Sequence, residues 1–224
     1  MQPYLFPYLG YWQLINAVDT FVIYDDVNFI KQGYINRNSV LSIDKAQRFT
    51  LELTGASSFK MINEVKVGAN TKKLLKTIKH NYLKSPYFEE VFPLVQKIFG
   101  QEERNLAKYI GHSLQEIADY LQISTELVYS SAVKKKDSLK AEDKVIDICT
   151  VLKADTYVNS IGGRKLYNKH RFKEKGIELK FLSSKPKEYK QFKSNFVPGL
   201  SIIDIMMFNS KADIEIMLNE YELE

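Results

Sequence analysis

Cysteine is nearly absent from this chain: Cys149 stands alone among 224 residues, so no internal disulfide can form. It lies in the apolar stretch VIDICTVL and reads as a small core residue rather than a nucleophile. Histidine is scarce as well. His80, His112 and His170 share no metal-ligand spacing, and neither HExxH nor CxxC occurs, so no metal site is expected. No run of eighteen or more apolar residues occurs, which excludes a membrane-spanning helix of ordinary composition. The opening MQPYLFPYLGYW has no basic stretch and no small-residue cleavage site, so no secretory signal is expected and the chain reads as cytoplasmic. No GxSxG surrounds any serine, which argues against a serine hydrolase.

What is present is ordinary for a globular protein, with 45% hydrophobic and 26% charged residues. A chain of this length buries enough surface to fold without cross-links, and residues 1–224 read as a single α/β domain. The net charge of +5 comes mainly from lysines, with runs at Lys134-Lys135-Lys136 and at 185–190. That surplus suits an anionic ligand such as a nucleotide or nucleotide-sugar, and equally RNA; lysine runs in loops are also often simply solvated.

Hydrophobic spacing outlines the elements. QPYLFP reads as a turn, and LGYWQLINAV has helical spacing at Leu9, Trp12 and Ile15 before Asp19-Thr20 ends it. FVIY, RFTLELTG and INEVKV read as strands, with INRN as a loop. A helical insertion is expected at about 71–121. There TKKLLKTIKHNYL places Leu74, Leu75, Ile78 and Tyr82 on one face, and Pro86 suits the first turn of the next helix. ELVYSS, TYVNS and IELKFL then read as strands alternating with helices in KAEDKVIDICTVLK and at 167–175, and LSIIDIMMFN and ADIEIMLNEY read as closing helices. This alternation predicts a mainly parallel, Rossmann-like sheet with helices on both faces and ligand contacts at the C-terminal strand ends.

The candidate site residues fall near those ends. Asp25-Asp26 closes FVIY, and because neighbouring strand residues face opposite ways, the two act together only if the strand has already ended. Either could be a general base or hold a metal, and His80 could also be a base; the bland alternatives are a strand-ending turn and a packing histidine. FPYLGY can be laid over the P-F-H-x-G-H signature of nucleotidyltransferases. That places Tyr8 and Tyr11 in the histidine positions and Gly10 where a nucleotide would approach the backbone, with Gln2 in the same turn. A tyrosine can donate to phosphate but lacks the charge of an imidazolium. Lys31 and Asn36-Arg37-Asn38 supply a cation pair with flanking amides, suited to phosphate or carboxylate. Ser130-Ser131 ends one strand and Asn159-Ser160 another, both expected on one edge of the sheet, with Gly162-Gly163 as an anion cradle. Asp204, inside an apolar helix, must be paired, hydrogen-bonded or functional.

QPYLFPYLGYWQLINAVDTFVIYDDVNFIKQGYINRN, the SPYF after His80, the serines at 130–131, YVNSIGGRKLY and the closing Y-x-Q…F…LSIIDIMMFN together resemble the WbqC-like family, in the family's order over nearly the whole chain. Family members carry a short strand ahead of the QPY turn, so the resemblance implies a truncated start. It also implies a place in bacterial O-antigen and related surface-polysaccharide clusters, where a glycine-transferase role has been suggested. The expectation is a transferase that attaches a glycyl or other acyl group to a nucleotide-activated amino sugar. Asp25, Asp26 or His80 would be the base, Arg37 and Gly162-Gly163 would hold phosphate or carboxylate, and Tyr8, Gly10 and Tyr11 would line the nucleotide end. The acyl donor stays open between an adenylate formed from ATP with magnesium, an aminoacyl-tRNA and a thioester. The rivals are a nucleotidyltransferase-like adenylating enzyme and a non-catalytic partner of the polysaccharide machinery; the 71–121 helices could also support a homodimer.

Overall fold

The computed structural model describes residues 1–136, 138–192 and 195–224. The first helix, α1 (Leu9–Asn16), buries Leu9 through Ile15 without a break. A helix covered on all sides belongs in the interior. Its buried amide, Gln13, is satisfied at one end only: Nε2 donates to Met217 O at 2.8 Å and Glu220 O at 3.0 Å, which ties α1 to the end of the chain, while Oε1 has no partner among the described residues.

The strands correct the expected architecture. Among the described residues they form four small sheets, and no extended parallel Rossmann-like layer is present. β1 (Thr20–Ile23) pairs in parallel with β6 (Glu126–Tyr129). β2 (Arg37–Ser42) and β3 (Lys45–Thr50) form an antiparallel hairpin, and β4 (Leu53–Thr54) pairs antiparallel with β5 (Lys66–Val67). β7 (Thr156–Ser160) runs parallel to β8 (Glu178–Ser184), whose other edge takes β9 (Tyr221–Leu223) antiparallel. The expected common edge for Ser130-Ser131 and Asn159-Ser160 is therefore absent, because β6 and β7 belong to different sheets. Alternating strand and helix patterns specify local crossovers, but which strand edges finally meet is decided by long-range packing.

Individual segments depart for local reasons. RFTLELTG is divided: Leu51 N donates to Asn36 O (2.8 Å) and Glu52 N to Asn70 Oδ1 (2.9 Å), so the ladder of β3 stops at Thr50. INRN is not a loop throughout, since Arg37 opens β2. In INEVKV a 3₁₀ turn over Ile62–Glu64 precedes the two residues of β5.

The helical segment holds α2 (Thr71–Tyr82), α3 (Phe88–Gly100) and α4 (Leu106–Tyr120). α2 buries Leu74, Ile78 and Tyr82 at the predicted spacing, with Leu75 half-buried. Pro86 lies in the turn before α3, and it is Pro93 that falls inside that helix. Past β6 come α5 (Ala141–Val151), α6 (Lys169–Lys173), α7 (Ile202–Phe208) and α8 (Lys211–Leu218); the chain beyond α8 returns as β9 rather than continuing helical. No helix among the described residues is long and apolar enough to cross a membrane.

Most apolar side chains share one core around α1, and a second, smaller cluster joins Val145, Ile146, Cys149, Phe172, Ile177, Leu179 and Phe181. Burial pushes the Cys149 thiol up to about 11, which leaves it unreactive at neutral pH. α4 and β6 approach so closely that a Cβ on Gly111 would stand 2.0 Å from the Tyr129 hydroxyl. Gly111→Ala should therefore destabilise the protein by about 1–3 kcal/mol despite alanine's better helix propensity. In a Tyr129→Ala background the same change should become neutral or stabilising, as read from urea midpoints.

Candidate functional site

β1 ends at Ile23 and β6 at Tyr129, so Asp25-Asp26 and Ser130-Ser131 leave the same end of one parallel pair. Because the strand has ended, both carboxylates turn toward Ser130. Its hydroxyl lies 2.9 Å from Asp25 Oδ1, contacts Asp26 Oδ1 and accepts from Asp25 N at 3.1 Å. One hydroxyl proton cannot serve two carboxylates, so other groups must offset their repulsion. Lys135 Nζ meets Asp26 Oδ2 at 2.7 Å and Lys144 Nζ meets Asp26 Oδ1 at 3.0 Å, the two lysine side chains being only 4% and 12% exposed. With two acids and two lysines the cluster is neutral. Burial works to raise the Asp26 pKa, but Lys135, Ser130 and Lys144 outweigh it and hold the carboxyl below its usual range.

Asp25 is closely held. Its Oδ1 accepts from Ser131 N (2.9 Å), its Oδ2 accepts from Ser131 Oγ (2.6 Å) and Asn63 Nδ2 (3.2 Å), and the single Ser130 hydroxyl proton lies between Asp25 and Asp26. Buried and held by three donors besides Ser130, it has little acceptor capacity left for a substrate proton. The geometry makes the cluster a brace between the two strand ends, with Lys144 also 5.0 Å from the centre of the Tyr24 ring.

A second assembly lies on the N-terminal segment and the β2–β3 hairpin. The Tyr4 ring sits 6.2 Å from Tyr8, 6.0 Å from Tyr11 and 5.9 Å from Tyr34, centre to centre. Tyr8 and Tyr34 are open to solvent, at 40% and 60% exposure. The Arg37 guanidinium stands 5.7 Å over Tyr34 and donates to Gln32 O. Arg37 pairs with Thr50 and Ser39 with Arg48, so the two arginines are diagonal neighbours on one hairpin face. Burial raises the Tyr4 pKa, and the positive charges of Arg37 and Arg48 oppose that rise. The result is an exposed aromatic surface flanked by two cations.

The remaining candidates separate into exposed and structural positions. Lys31 and His80 are exposed, and His80 makes no hydrogen bond or ion pair among the described residues. Tyr11 is buried and donates to Gln2 O at 2.8 Å, so its hydroxyl is committed inside the fold. A Cβ on Gly10 would come 2.8 Å from Tyr8 and 3.3 Å from Ser184, so this glycine serves close packing of chain on chain. Asn36 Nδ2 donates to Leu51 O (2.7 Å) and Asn38 Nδ2 to Phe6 O (2.5 Å), whereas Arg37 between them reaches Gln32 O and the Tyr34 ring. Asn159 packs beneath Gly163, gives to the Tyr157 hydroxyl (2.9 Å) and accepts from Ser160 N (2.7 Å). Gly162 is exposed and opens the 3₁₀ turn over Ile161–Leu166. Asp204 is fully enclosed and accepts from Tyr82 OH (2.7 Å), Tyr189 OH (2.6 Å) and Gln191 Nε2 (2.7 Å). Sequence reasoning noted Lys135 only within a lysine run and passed over Lys144, Asn63, Tyr4, Tyr34 and Arg48. The one available signal was Tyr34, three residues before Arg37.

Residues 2–216 match the WbqC-like protein family. The chain belongs to that family. It is also 28% identical over 212 residues to a Mycobacterium tuberculosis protein described as uncharacterized, Rv1507c, an alignment covering 92% of this chain and 90% of that one. No solved structure matches. In this WbqC-like chain the N-terminal motif thus supplies both the aromatic face and the two acids of the brace. A depression of about 410 Å³ lined by Asn16–Asp19, Ser124 and Thr125 lies at the opposite end of β1 and β6 and contains none of these groups.

Two stability measurements check these assignments. Asp25→Ala should lower unfolding free energy by about 3 kcal/mol, since it leaves buried hydroxyl and amide donors without an acceptor. Burial raises the Asp204 pKa, against hydrogen bonds from Tyr189, Tyr82 and Gln191 that lower it. Its contribution is complete below the unfolded value of about 3.9 and is lost as pH rises through the folded value. The urea midpoint of Asp204→Asn should accordingly fall less than wild type's as pH rises above about 4.

Proposed function

We propose that this WbqC-like protein is a transferase of bacterial surface-polysaccharide biosynthesis that attaches a glycyl or other acyl group to a nucleotide-activated amino sugar. The observation that carries the reading is Arg37 over the exposed Tyr34 ring, joined to Tyr4, Tyr8 and Arg48. Flat aromatic faces receive a nucleobase or the C–H face of a sugar. Paired guanidinium groups suit a diphosphate, because each can donate two parallel hydrogen bonds. Together they fit both parts of a nucleotide-sugar.

Within this reading Asp25 and Asp26 act as the brace at the ends of β1 and β6, since their oxygens are engaged by serines and lysines. The adenylating alternative needs nucleotide contacts from both histidine-equivalent positions of FPYLGY, and burial of Tyr11 removes one of them.

Thermal shift and calorimetry against UDP-sugars, ATP with magnesium, and acyl-CoA test the reading. Nucleotide-sugar should stabilise the wild-type protein, and Arg37→Ala and Tyr34→Ala should each weaken its binding by about tenfold or more while the unliganded midpoint moves little. Stabilisation by ATP alone would instead favour the adenylating enzyme. No response to any ligand would leave the non-catalytic partner as the better reading.

A further inference from the structure

Two loops beside the hairpin zip together and end in an apolar tip. Phe29 N donates to Lys60 O (2.8 Å) and Ile62 N to Val27 O (2.9 Å), with Asn28 bridged to Met61 in antiparallel register. Ile30 and Phe59 lie in the turns next to this bridge, Ile30 opening the turn closed by Gly33 N and Phe59 inside the turn closed by Lys60 N. Phe29 is buried, whereas Phe59 is 93% exposed, Ile30 52% and Met61 45%, so three large apolar side chains of the two loops stand in solvent. They are held there by closed turns rather than by loose chain. Lys60 N returns to Ser57 O (3.1 Å), Phe59 N to Ser57 Oγ (3.2 Å) and Gly33 N to Ile30 O (3.0 Å).

The charged side chains of the two loops themselves are all positive. Residues 27–43 and 53–63 contain no aspartate or glutamate, while Lys31 and Lys60 flank the apolar pair directly. The nearest acid in sequence, Glu64, is turned back onto Met61 N at 2.7 Å. Rigid exposed phenylalanine and isoleucine between lysines match an interfacial contact, in which apolar groups enter the acyl boundary and cations meet anionic headgroups. We propose that the Ile30–Phe59–Met61 tip docks this protein onto an anionic lipid bilayer. The proposal does not rest on the sugar-transfer reading.

Co-sedimentation of the full chain with phosphatidylcholine vesicles, with and without about one-third phosphatidylglycerol, tests it. Binding is expected to the anionic vesicles and to weaken at high salt. Ile30→Ser with Phe59→Ser should reduce it about tenfold or more, and Lys31→Gln with Lys60→Gln should reduce it on anionic vesicles. All four side chains are exposed, so thermal midpoints should stay near wild type and exclude misfolding as the cause. Phe59→Trp adds a direct reporter, because the native Trp12 is fully buried; a blue shift on adding vesicles is expected. Failure of the wild-type protein to sediment with anionic vesicles, or undiminished binding by Ile30→Ser/Phe59→Ser, would overturn the proposal. A concentration-dependent dimer abolished by Phe59→Ser would also overturn it and assign the tip to a second copy of the chain.

Discussion

Asp25 connects parts of the chain that are far apart in sequence. Its side chain takes donors from Ser130, Ser131 and Asn63, and its own backbone N–H returns to Ser130 Oγ. Asn63 extends the connection, since its carbonyl accepts from Asn105 Nδ2 at 2.5 Å at the start of α4. One carboxylate therefore holds the ends of β1 and β6, the turn at Ile62–Glu64 and the head of a helix. The requirement that a buried carboxylate fill its lone pairs explains why two serines and an asparagine converge there. Asp26 beside it would be repelled, and Lys135 and Lys144 restore neutrality from the following turn and from α5.

Asp204 does the same work among other elements. Leu41 N gives to the Tyr82 hydroxyl at 2.8 Å, and that hydroxyl gives to Asp204, so the chain of bonds runs from β2 through α2 into α7. Tyr189 and Gln191 fasten the segment before α7 to the same carboxylate. Both buried acids are thus joints between elements, each satisfied by neutral donors as well as, for the Asp25–Asp26 pair, by cations. Such joints permit small separate sheets to pack without a continuous strand ladder. The hairpin face that carries Arg37 and Arg48 keeps Arg48 exposed and Arg37 half-buried, and its opposite face, with Asn38, Val40 and Phe49, enters the core.

Element types were largely legible, because amphipathic spacing is a local property. Leu74, Ile78 and Tyr82 are buried as their spacing requires, and VIDICTVL forms a helix with Cys149 inside. β2 escaped notice because Asn36, Arg37 and Asn38 read as loop residues, yet Asn36 and Asn38 direct their amides to backbone carbonyls of neighbouring segments. β9 escaped because three residues carry too little pattern to separate them from the end of α8. Among the site residues, Asp25, Asp26, Ser130 and Ser131 were visible as polar groups at strand ends. Lys135 lay hidden in a lysine run that reads as solvated, and its burial depends on Asp26 lying opposite.

The sequence by itself determined the family, the helices with strong apolar faces, the absence of disulfides, and the polar residues at the ends of β1 and β6. These follow from composition, spacing and motif order, all of which are contained in local stretches of chain. Only the tertiary structure decided that the strands divide into four small sheets, that Asp25 and Asp204 are occupied joints, and that Tyr4, Tyr34 and the two arginines share one surface. Those outcomes depend on which edges and side chains meet across separations of tens of residues to more than a hundred. Hydrogen-bond satisfaction and close packing settle such meetings together, and no local pattern specifies them.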